Sequence, residues 1–535
     1  MIQFHIVEKL RMKKIHSLLL VVASAWFFVF AGDPSKSKIA RPNIIFIMAD
    51  DMGYSDLGCY GSEIHTPNLD KLASQGIKLR NFYNNARCCP TRASLLTGQY
   101  PHQVGMGLMV TADKSTFQPG SYQGFLNDSF PTIAEQLKKS GYHTYMAGKW
   151  HVGERPQHWP LKRGFDRYFG LISGASSYYE ILPQERAKRH FAEDDHEYEL
   201  PKEGYYATDA FTDHAITYVN DHKSASSADP FFLYLAFTAP HYPLHAPEED
   251  VKKYEALYMK GWQKIRADRY AKQRFIGLID QRYASFEDPE TPQWDTVSDK
   301  KTWARKMAVY AAMVDRMDQN VGRLIDALKK NGQYENTFIV FISDNGGSAE
   351  TVNMKLLNNP STKVGERGSY YAYGQPWANV SNTPFRMYKH FLHEGGMNTS
   401  CIMQWPAGIK PVKGFSEGFG NVMDLMPTAL DIAGVKNSQT AGKSLKFIWN
   451  KSISEERTYC WEHEGNQAIR KGDWKLVKEF DEKEWQLYDM KKDPTEQHDL
   501  SLNYPERVTS MKASYKIWEE QVGVKPYAKP PGKSE

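Results

Sequence analysis

The stretch Asn43-Ile44-Ile45-Phe46-Ile47-Met48-Ala49 is a continuous apolar run that leads directly into Asp50-Asp51. A strand with one face in water alternates apolar and polar residues, whereas a strand buried on both faces is apolar throughout. The run therefore predicts a central strand of a parallel sheet. The two aspartates follow at its carboxyl end, which is where open α/β sheets bind their ligands.

Helical and strand-like segments alternate along the chain after this run. Further strands are predicted at 77–83, 142–147, 231–237 and 337–342. Helices are predicted at 66–76, 129–141 and 212–222, and along an apolar stripe at 310–328 that ends at Gly332. This alternation predicts an α/β fold whose sheet has helices on both faces.

Two segments interrupt the alternation, and a third changes it. The highly charged segment 248–302 and the polar, Gly-, Asn- and Tyr-rich segment 349–384 are predicted as insertions over the sheet edge, the second as a roof of the active site. After residue 435, short strand-like runs at 467–470, 474–477 and 485–489 precede a helical segment at 504–520. These features predict a smaller C-terminal subdomain with an antiparallel sheet and a terminal helix.

The N-terminus has the pattern of a secretory signal peptide. Lys13 and Lys14 precede a short apolar run at 18–30 that closes on the small residue Ala31. A bilayer span needs about 20 apolar residues, so a retained anchor is the alternative and stable membrane insertion is not expected. We therefore expect an exported protein, periplasmic or secreted, that consists of a signal peptide (1–31), a catalytic domain (38–435) and a C-terminal subdomain (436–535).

Composition excludes two other classes of protein. A net charge of +4 with 24% charged residues gives no basic field of the kind that binds nucleic acid. Five cysteines are too few and too scattered for a disulfide scaffold, and no Cys-x-x-Cys pair suggests a zinc site.

The stretch from Arg87-Cys88-Cys89-Pro90-Thr91-Arg92 to Gly98 is the most distinctive chemically. Pro at the first helical position and Gly past the end predict a short helix, with Cys89 near its N-cap and Cys88 just outside. A sulfur at the positive end of a helix dipole is expected to have a depressed pKa and to be reactive. The alternative is a pair of buried cysteines that cap a core helix.

Acidic and amide side chains follow two of the predicted strands. Asp50-Asp51 comes after the first strand and Asp344-Asn345 after the strand at 337–342. Three carboxylates and an amide oxygen make a hard, all-oxygen donor set that suits Ca²⁺ or Mg²⁺. Aspartate at a strand end is also ordinary turn chemistry, but two such pairs beside the cysteine motif favour a metal site.

Basic side chains follow two other strands. Lys149 and His151 come after the strand at 142–147 and, in an extended segment, point to the same side. His241 comes after the strand at 231–237. Lys389 precedes Glu394 by five residues, and on its own it would be interpreted as a solvated lysine.

The stretch Cys88-Cys89-Pro90-Thr91-Arg92, extended to Gly98, resembles the signature of type I sulfatases, most closely that of bacterial arylsulfatases, and the resemblance covers about 42–499. It implies an alkaline-phosphatase-like core with a smaller C-terminal subdomain. It also implies a sulfuric ester hydrolase that cleaves aryl sulfates or sulfated carbohydrates. In that family a sulfatase-maturating enzyme oxidises the first cysteine of the motif, here Cys88, to formylglycine, which is the nucleophile.

The resemblance also implies a role for each candidate residue. One divalent cation, Ca²⁺ first and Mg²⁺ as the alternative, would be bound by Asp50, Asp51, Asp344, Asn345 and the oxygen of modified Cys88. The hydrated aldehyde would attack sulfur in line, with Arg92 orienting its oxygens. The catalytic set comprises Cys88, Arg92, Lys149, His151, His241 and Lys389.

Within that set the implied roles divide between sulfate binding and proton transfer. Lys149, Lys389 and His241 would hold the sulfate oxygens, and His151 would take the proton whose removal expels sulfate. Either His241 or Lys389 would protonate the departing oxygen.

A phosphatase, phosphodiesterase or phosphonate hydrolase on the same core is the nearest competing function, and a non-catalytic binding protein is a second. Most phosphatases on this core use Ser or Thr with two zinc ions, whereas this chain has Cys and no evident second metal set. An exo-acting sulfatase on sulfated sugars and simple aryl sulfates ranks first. The candidates for substrate specificity, each also interpretable as a loop or packing residue, are His102, Tyr178, Tyr179, His245 and His393.

Overall fold

The run that opens at Asn43 forms strand β1 (Asn43–Ala49) at the centre of a ten-stranded mixed sheet. The computed structural model describes residues 40–110, 117–185, 188–225, 228–352, 361–436, 439–449 and 457–527. The other strands of the sheet are β2 (Ile77–Tyr83), β3 (His143–Gly148), β4 (Arg167–Leu171), β5 (Phe191–Glu193), β6 (His196–Glu197), β7 (Phe231–Ala236), β8 (Thr337–Ser343), β9 (Cys401–Gln404) and β10 (Ser416–Asn421).

The centre of the sheet is parallel, as predicted. The strand order is β10-β2-β9-β8-β1-β7-β3-β4-β5-β6, and β1 pairs in parallel with both β7 and β8. Strand β9, which the apolar pattern did not predict, runs antiparallel between β8 and β2. The carboxyl ends of β1, β3, β7 and β8 therefore meet at one edge and bring the polar residues that follow them together.

Strand β1 is buried on both faces because its side chains alternate between two cores. Ile45 and Ile47 belong to one hydrophobic cluster, while Ile44, Phe46 and Met48 belong to the other. This confirms the α/β prediction of helices on both faces of the sheet.

Helices cover the sheet with bounds that differ in part from the predicted ones. They are α1 (Pro67–Ser74), α2 (Cys88–Thr97), α3 (Ile133–Lys139), α4 (Ala207–Ala225), α5 (Glu248–Val251), α6 (Glu255–Tyr258), α7 (Trp262–Phe275), α8 (Lys300–Lys330), α9 (Gln375–Ser381), α10 (Glu394–Met397), α11 (Leu425–Ile432) and α12 (Lys446–Trp449). Helix α3 begins later than predicted because Thr132 forms a capping box with Glu135.

The charged segment 248–302, predicted as an insertion over the sheet edge, contains helices that pack on the core. It contains α5, α6 and α7, and it buries Trp262, Ile265 and Tyr258 in the core cluster on one face of the sheet. Its hydrophobic periodicity is weak because its helices are short and much of its polar surface forms ion pairs, such as Arg269 with Asp56 and Glu63.

The C-terminal region forms the predicted antiparallel sheet and terminal helix. Its strands are β11 (Thr458–His463), β12 (Asn466–Lys471), β13 (Trp474–Lys478) and β14 (Gln486–Asp489), followed by helix α13 (Pro505–Val522). Strand β11 was not predicted. From Arg41 onward the chain forms one compact unit, and the predicted division at residue 435 stays a prediction.

The predicted signal peptide, 1–31, lies outside the described residues. Among the residues that are described, no helix combines the length and the apolar character needed to cross a membrane. All five cysteines are free thiols.

Candidate active site

Helix α2 places Cys88 at the carboxyl edge of the sheet. The helix begins at Cys88 itself, with Arg87 as its N-cap, and ends at Thr97, with Gly98 as its C-cap. The predicted start at Pro90 was two residues late, because proline is tolerated anywhere in a first turn whose N–H groups have no helical partner.

The Cys88 thiol is completely buried. Burial raises its pKa well above the usual value, and the charges of Lys149 and Lys389 offset that only in part. The prediction of a depressed pKa was therefore wrong, since desolvation outweighs the helix dipole at this position.

Four acidic or amide side chains meet beside Cys88, as predicted. Ligand atoms of Asp50, Asp51, Cys88 and His241 all lie within 4.8 Å of one another. Asn345 Nδ2 donates to Asp51 Oδ1 at 2.7 Å, which joins the end of β8 to the end of β1.

The acidic residue that follows β8, Asp344, completes this cluster. The Asp51 backbone N–H donates to Asp344 Oδ1 at 3.2 Å. Burial and the charge of Asp344 raise the pKa of Asp50. At Asp344, burial also acts to raise the pKa, but the charges of Arg92 and Lys149 outweigh it, so the pKa of Asp344 is lowered.

This cluster fits a hard divalent cation. Asp50 Oδ1 and Asn345 Oδ1 are buried and have no hydrogen-bond partner in the described protein. A buried polar atom without a partner is costly, and a cation bound by these oxygens would satisfy both. The donor set of carboxylate and amide oxygens matches Ca²⁺ or Mg²⁺.

Arg92 links α2 to the acidic residues. Its completely buried guanidinium donates to Asp344 Oδ2 at 2.8 Å and to the Lys149 carbonyl at 3.0 Å. The first contact fixes the helix relative to β8, and the second fixes it relative to the segment after β3.

Two lysines flank the carboxylates of Asp50 and Asp51. Lys149 Nζ donates to Asp50 Oδ2 at 2.6 Å, and Lys389 Nζ donates to Asp51 Oδ2 at 3.0 Å. Both lysines are buried. Fixed positive charge on both sides of the site suits an anionic group such as sulfate.

The two histidines of the predicted set are also buried here. Nε2 of His151 lies 3.4 Å from the Val110 carbonyl and donates to it. Nδ1 of the neutral ring then carries no proton, and because it has no hydrogen-bond partner in the described protein it can accept one. Burial, followed by the charges of Lys149 and Arg92, lowers the pKa of His151 well below its usual value. His151 has a φ of +55°, so the segment from Lys149 is not extended as predicted.

His241 lies next to Lys389. Its Nε2 is 3.4 Å from Lys389 Nζ and 3.4 Å from Asp51 Oδ2. Burial lowers its pKa to about 4, although the charge of Asp51 acts in the opposite direction.

Two charged residues of the site were not predicted. Glu350 accepts from Lys389 Nζ at 2.8 Å through Oε2 and pairs with Arg87 Nη1 at 2.8 Å through Oε1. Burial raises the pKa of Glu350, but Arg87 and then Lys389 outweigh it and lower that pKa well below its usual value. The only signal for Glu350 was its position in the polar segment 349–384, predicted to roof the site.

The five specificity candidates lie in packed surroundings. Tyr178 donates to the carbonyls of Thr238 and His241, at 2.6 and 2.9 Å, and His245 Nε2 lies 2.7 Å from the Ser369 carbonyl. His102 pairs with Glu462 at 2.7 Å, His393 is completely buried, and Tyr179 packs against the core. These contacts are those of packing residues.

Comparison with known families identifies similar proteins over most of the chain. The model of the Sulfatase family matches residues 42–435, and that of the N-sulphoglucosamine sulphohydrolase C-terminal region matches residues 385–521. An uncharacterised sulfatase of Schizosaccharomyces pombe is 34% identical, with 91% of this chain and 95% of the relative covered.

Two further relatives have named activities. The arylsulfatase of Klebsiella aerogenes is 35% identical over 79% of this chain and 93% of its own. The N-acetylgalactosamine-6-sulfatase of Rattus norvegicus is 30% identical over 78% of this chain and 66% of its own.

A solved structure has a similar fold. The crystal structure of Ps i-CgsB has a TM-score of 0.67 and 29% identity, with 89% of this chain and 92% of that one covered. The same protein has also been solved in complex with k-i-k-neocarrahexaose.

Proposed function

Because this chain belongs to the sulfatase family and hydrolyses sulfate esters, we propose that it does so through a formylglycine formed from Cys88. The observation that carries this proposal is the meeting of Asp50, Asp51, Cys88 and His241 within 4.8 Å, with Lys149 and Lys389 beside them. When formed, the hydrated aldehyde supplies the oxygen that attacks sulfur.

We propose that one divalent cation, calcium first, is bound by Asp50, Asp51, Asp344, Asn345 and residue 88. The two unpartnered oxygens of Asp50 and Asn345 support this assignment. When bound, the cation supplies positive charge that stabilises the anionic group in transfer.

The side chains of the protein would bind the sulfate and transfer protons. Lys149 and Lys389 would donate to the oxygens of the sulfate, and His241, with Nε2 3.4 Å from Lys389 Nζ, would contact the same group. His151, neutral and with Nδ1 as an acceptor, takes the proton whose removal releases sulfate. Either His241 or Lys389, whose Nε2 and Nζ lie 3.4 Å apart, would protonate the departing oxygen.

The substrates we propose are sulfated sugars and simple aryl sulfates. An arylsulfatase and an N-acetylgalactosamine-6-sulfatase among the relatives support both classes. The complex of Ps i-CgsB with k-i-k-neocarrahexaose supports a carbohydrate.

We also propose that the protein is exported to the periplasm or secreted, and that a sulfatase-maturating enzyme modifies it. Lys13, Lys14 and the short apolar run before Ala31 support export. The motif from Cys88 to Arg92 supports maturation.

The first experiment is peptide mass spectrometry across residues 88–92 after co-production with a sulfatase-maturating enzyme. We expect a peptide about 18 Da lighter than the thiol form, together with sulfate release from 4-nitrophenyl sulfate. Cys88→Ala should abolish this release, whereas Cys401→Ala, another buried cysteine, should retain it. An active Cys88→Ala enzyme, or faster hydrolysis of 4-nitrophenyl phosphate, would contradict the proposal.

The cation is tested on the same protein. Calcium should raise the Tm of the EDTA-treated native enzyme, because a ligand bound only by the folded state stabilises it. Asn345→Ala should lose most of this shift. An equal shift in native and variant proteins would exclude the proposed site.

A further inference from the structure

Arg87 and Glu350 form an ion pair beside the sulfate-binding residues, and the proposed hydrolysis gives neither of them a role. Each carboxylate oxygen of Glu350 has one cationic partner, Arg87 Nη1 at 2.8 Å and Lys389 Nζ at 2.8 Å. The pair therefore connects the residue before the nucleophile with one of the lysines that flank the acidic cluster.

Exposure identifies this pair as the open side of the site. The side chains of Asp50 and Lys149 are completely buried and Cys88 is fully enclosed, whereas the side chain of Glu350 is 30% exposed and that of Arg87 12%. In a displacement with attacking and leaving oxygens in line, the leaving group points away from the nucleophile. It then has to leave the pocket along Arg87 and Glu350.

Polar groups also lie near Arg87, since Glu464 is close enough to act on its charge. His390 Nδ1 lies 3.5 Å from Glu464 Oε2, and Asn466 Nδ2 donates to His390 Nε2 at 3.1 Å. Tyr242 is also close, with its ring centre 5.9 Å from Lys389 Nζ. Polar groups together with an aromatic ring suit the binding of a sugar ring.

Arg87 also has one N–H donor without a hydrogen-bond partner in the described protein. Its Nε is buried and has no partner in the described protein, while Nη1 is engaged by Glu350. A leaving-group hydroxyl can accept from the guanidinium and donate to the Glu350 carboxylate. A buried donor without a partner is costly, so a ligand that supplies the acceptor gains binding free energy.

We propose that Arg87 and Glu350 are specificity-determining residues that hydrogen-bond the hydroxyl groups of a sulfated sugar's leaving group. This inference rests on the proposed function and names the preferred class within it. A leaving group without hydroxyls shields Arg87 and Glu350 from water, and it offers them no hydrogen bonds in place of those to water. Sites built to hydrogen-bond a substrate hydroxyl discriminate strongly against analogues that lack it.

The experiment compares kcat/KM for a monosulfated sugar with kcat/KM for 4-nitrophenyl sulfate. The sugar is whichever of galactose 4-sulfate, galactose 6-sulfate, glucose 6-sulfate and N-acetylgalactosamine 6-sulfate the matured native enzyme hydrolyses best. Nitrophenolate leaves more readily than any sugar alkoxide, so the informative quantity is the sugar-to-aryl ratio of each variant relative to that of the native enzyme.

Glu350→Gln and Arg87→Met should each lower this ratio by about 10-fold or more, mainly through a higher KM for the sugar. Arg87→Lys keeps the charge without the forked donors and should fall between native and Arg87→Met; it is the variant measured if Arg87→Met does not fold. Glu366→Gln and Arg367→Gln, on exposed side chains of the same segment as Glu350, are the matched controls and should leave the ratio unchanged.

Three outcomes would overturn the inference. Equal losses on both substrates would show that the pair only maintains structure. A native enzyme that hydrolyses 4-nitrophenyl sulfate but no sugar sulfate would retain the proposed function and refute this specificity. A matured enzyme that releases sulfate from no substrate would refute both.

Discussion

Arg92 illustrates how one side chain supports the whole site. It is completely buried, and its guanidinium joins helix α2 to Asp344 at 2.8 Å and to the Lys149 carbonyl at 3.0 Å. Lysine has the charge but not the forked donors, so it cannot keep both contacts in this geometry.

We therefore expect Arg92→Lys to lower kcat by about 100-fold, because small displacements of reacting groups are that costly. The measurement is steady-state hydrolysis of 4-nitrophenyl sulfate, with the folded fraction checked by circular dichroism. Arg266→Lys is the control: this buried arginine donates to the carbonyls of Phe286, Pro384 and Phe385, away from the acidic cluster. An Arg92→Lys enzyme as active as the control would contradict the assigned role.

His245 gives a prediction for the pH dependence of stability. Burial lowers its pKa to about 4, while the hydrogen bond with the Ser369 carbonyl acts in the opposite direction. An unfolded histidine titrates near 6.5, so below that pH the unfolded chain takes up a proton that the folded chain does not. The contribution is absent above about pH 7 and destabilises the fold increasingly as the pH falls towards 4.

At pH 5 this effect amounts to about 2 kcal/mol for one such histidine. Urea unfolding at pH 7 and pH 5 should show that the native protein loses about 2 kcal/mol more than His245→Gln between the two pH values. His498→Gln, on an exposed side chain, is the control and should behave as native. A pH dependence that is identical in native and His245→Gln proteins would contradict the prediction.

At the scale of elements, helix α2 ends on a glycine that the structure requires. Gly98 has a φ of +66°, and a Cβ built there would lie 2.6 Å from Thr440 Cγ2. Gly332, just after helix α8, has nearly the same φ, +69°, but a Cβ there would meet nothing within 4 Å. Alanine substitutions at these two glycines therefore distinguish the cost of a left-handed backbone from the cost of steric crowding.

Gly332→Ala should cost about 1 kcal/mol for the left-handed conformation alone. Gly98→Ala should cost about 2 to 3 kcal/mol, because crowding adds to the same strain. Denaturant unfolding measures both values. Gly98→Ala should also lower kcat, because α2 carries Cys88 and Arg92. Equal losses of stability in the two variants would rule out crowding at Gly98.

At the scale of the whole molecule, the C-terminal sheet holds part of the active site in place. Lys475 on β13 is completely buried and bonds Glu394 Oε1 at 2.9 Å and Glu496 Oε1 at 2.7 Å. Glu394 begins helix α10, five residues after Lys389. Lys475 thus fixes the segment that presents a sulfate-binding lysine.

Lys475→Met should cost about 3 to 5 kcal/mol, because it leaves two buried carboxylates without their cation. Lys478→Met, three residues along the same strand and only partly buried, should cost far less. Thermal unfolding compares them, and KM for 4-nitrophenyl sulfate should rise in Lys475→Met alone. Equal Tm values for the two variants would refute this role for the C-terminal sheet.

The amino-acid sequence alone determined the elements that depend on local pattern. The apolar run from Asn43 predicted the central strand because burial on both faces leaves no alternation, and the residues after strand ends predicted which side chains would meet. The motif from Cys88 to Gly98 predicted the sulfatase family. The individual roles of the site residues stay predictions.

Only the tertiary structure decided the features that depend on distant residues. Strand β9 has its place because β8 and β2 lie on either side of it. In the segment 248–302, α5 and α6 pack on α8, whereas α7 packs on α9. The thiol of Cys88 has a raised pKa because the surrounding elements exclude water, which the helix dipole alone did not predict. Glu350 meets Arg87 and Lys389 from far along the chain. Burial and ion pairing depend on residues that are distant in the sequence, so the periodicity of a local segment does not predict them.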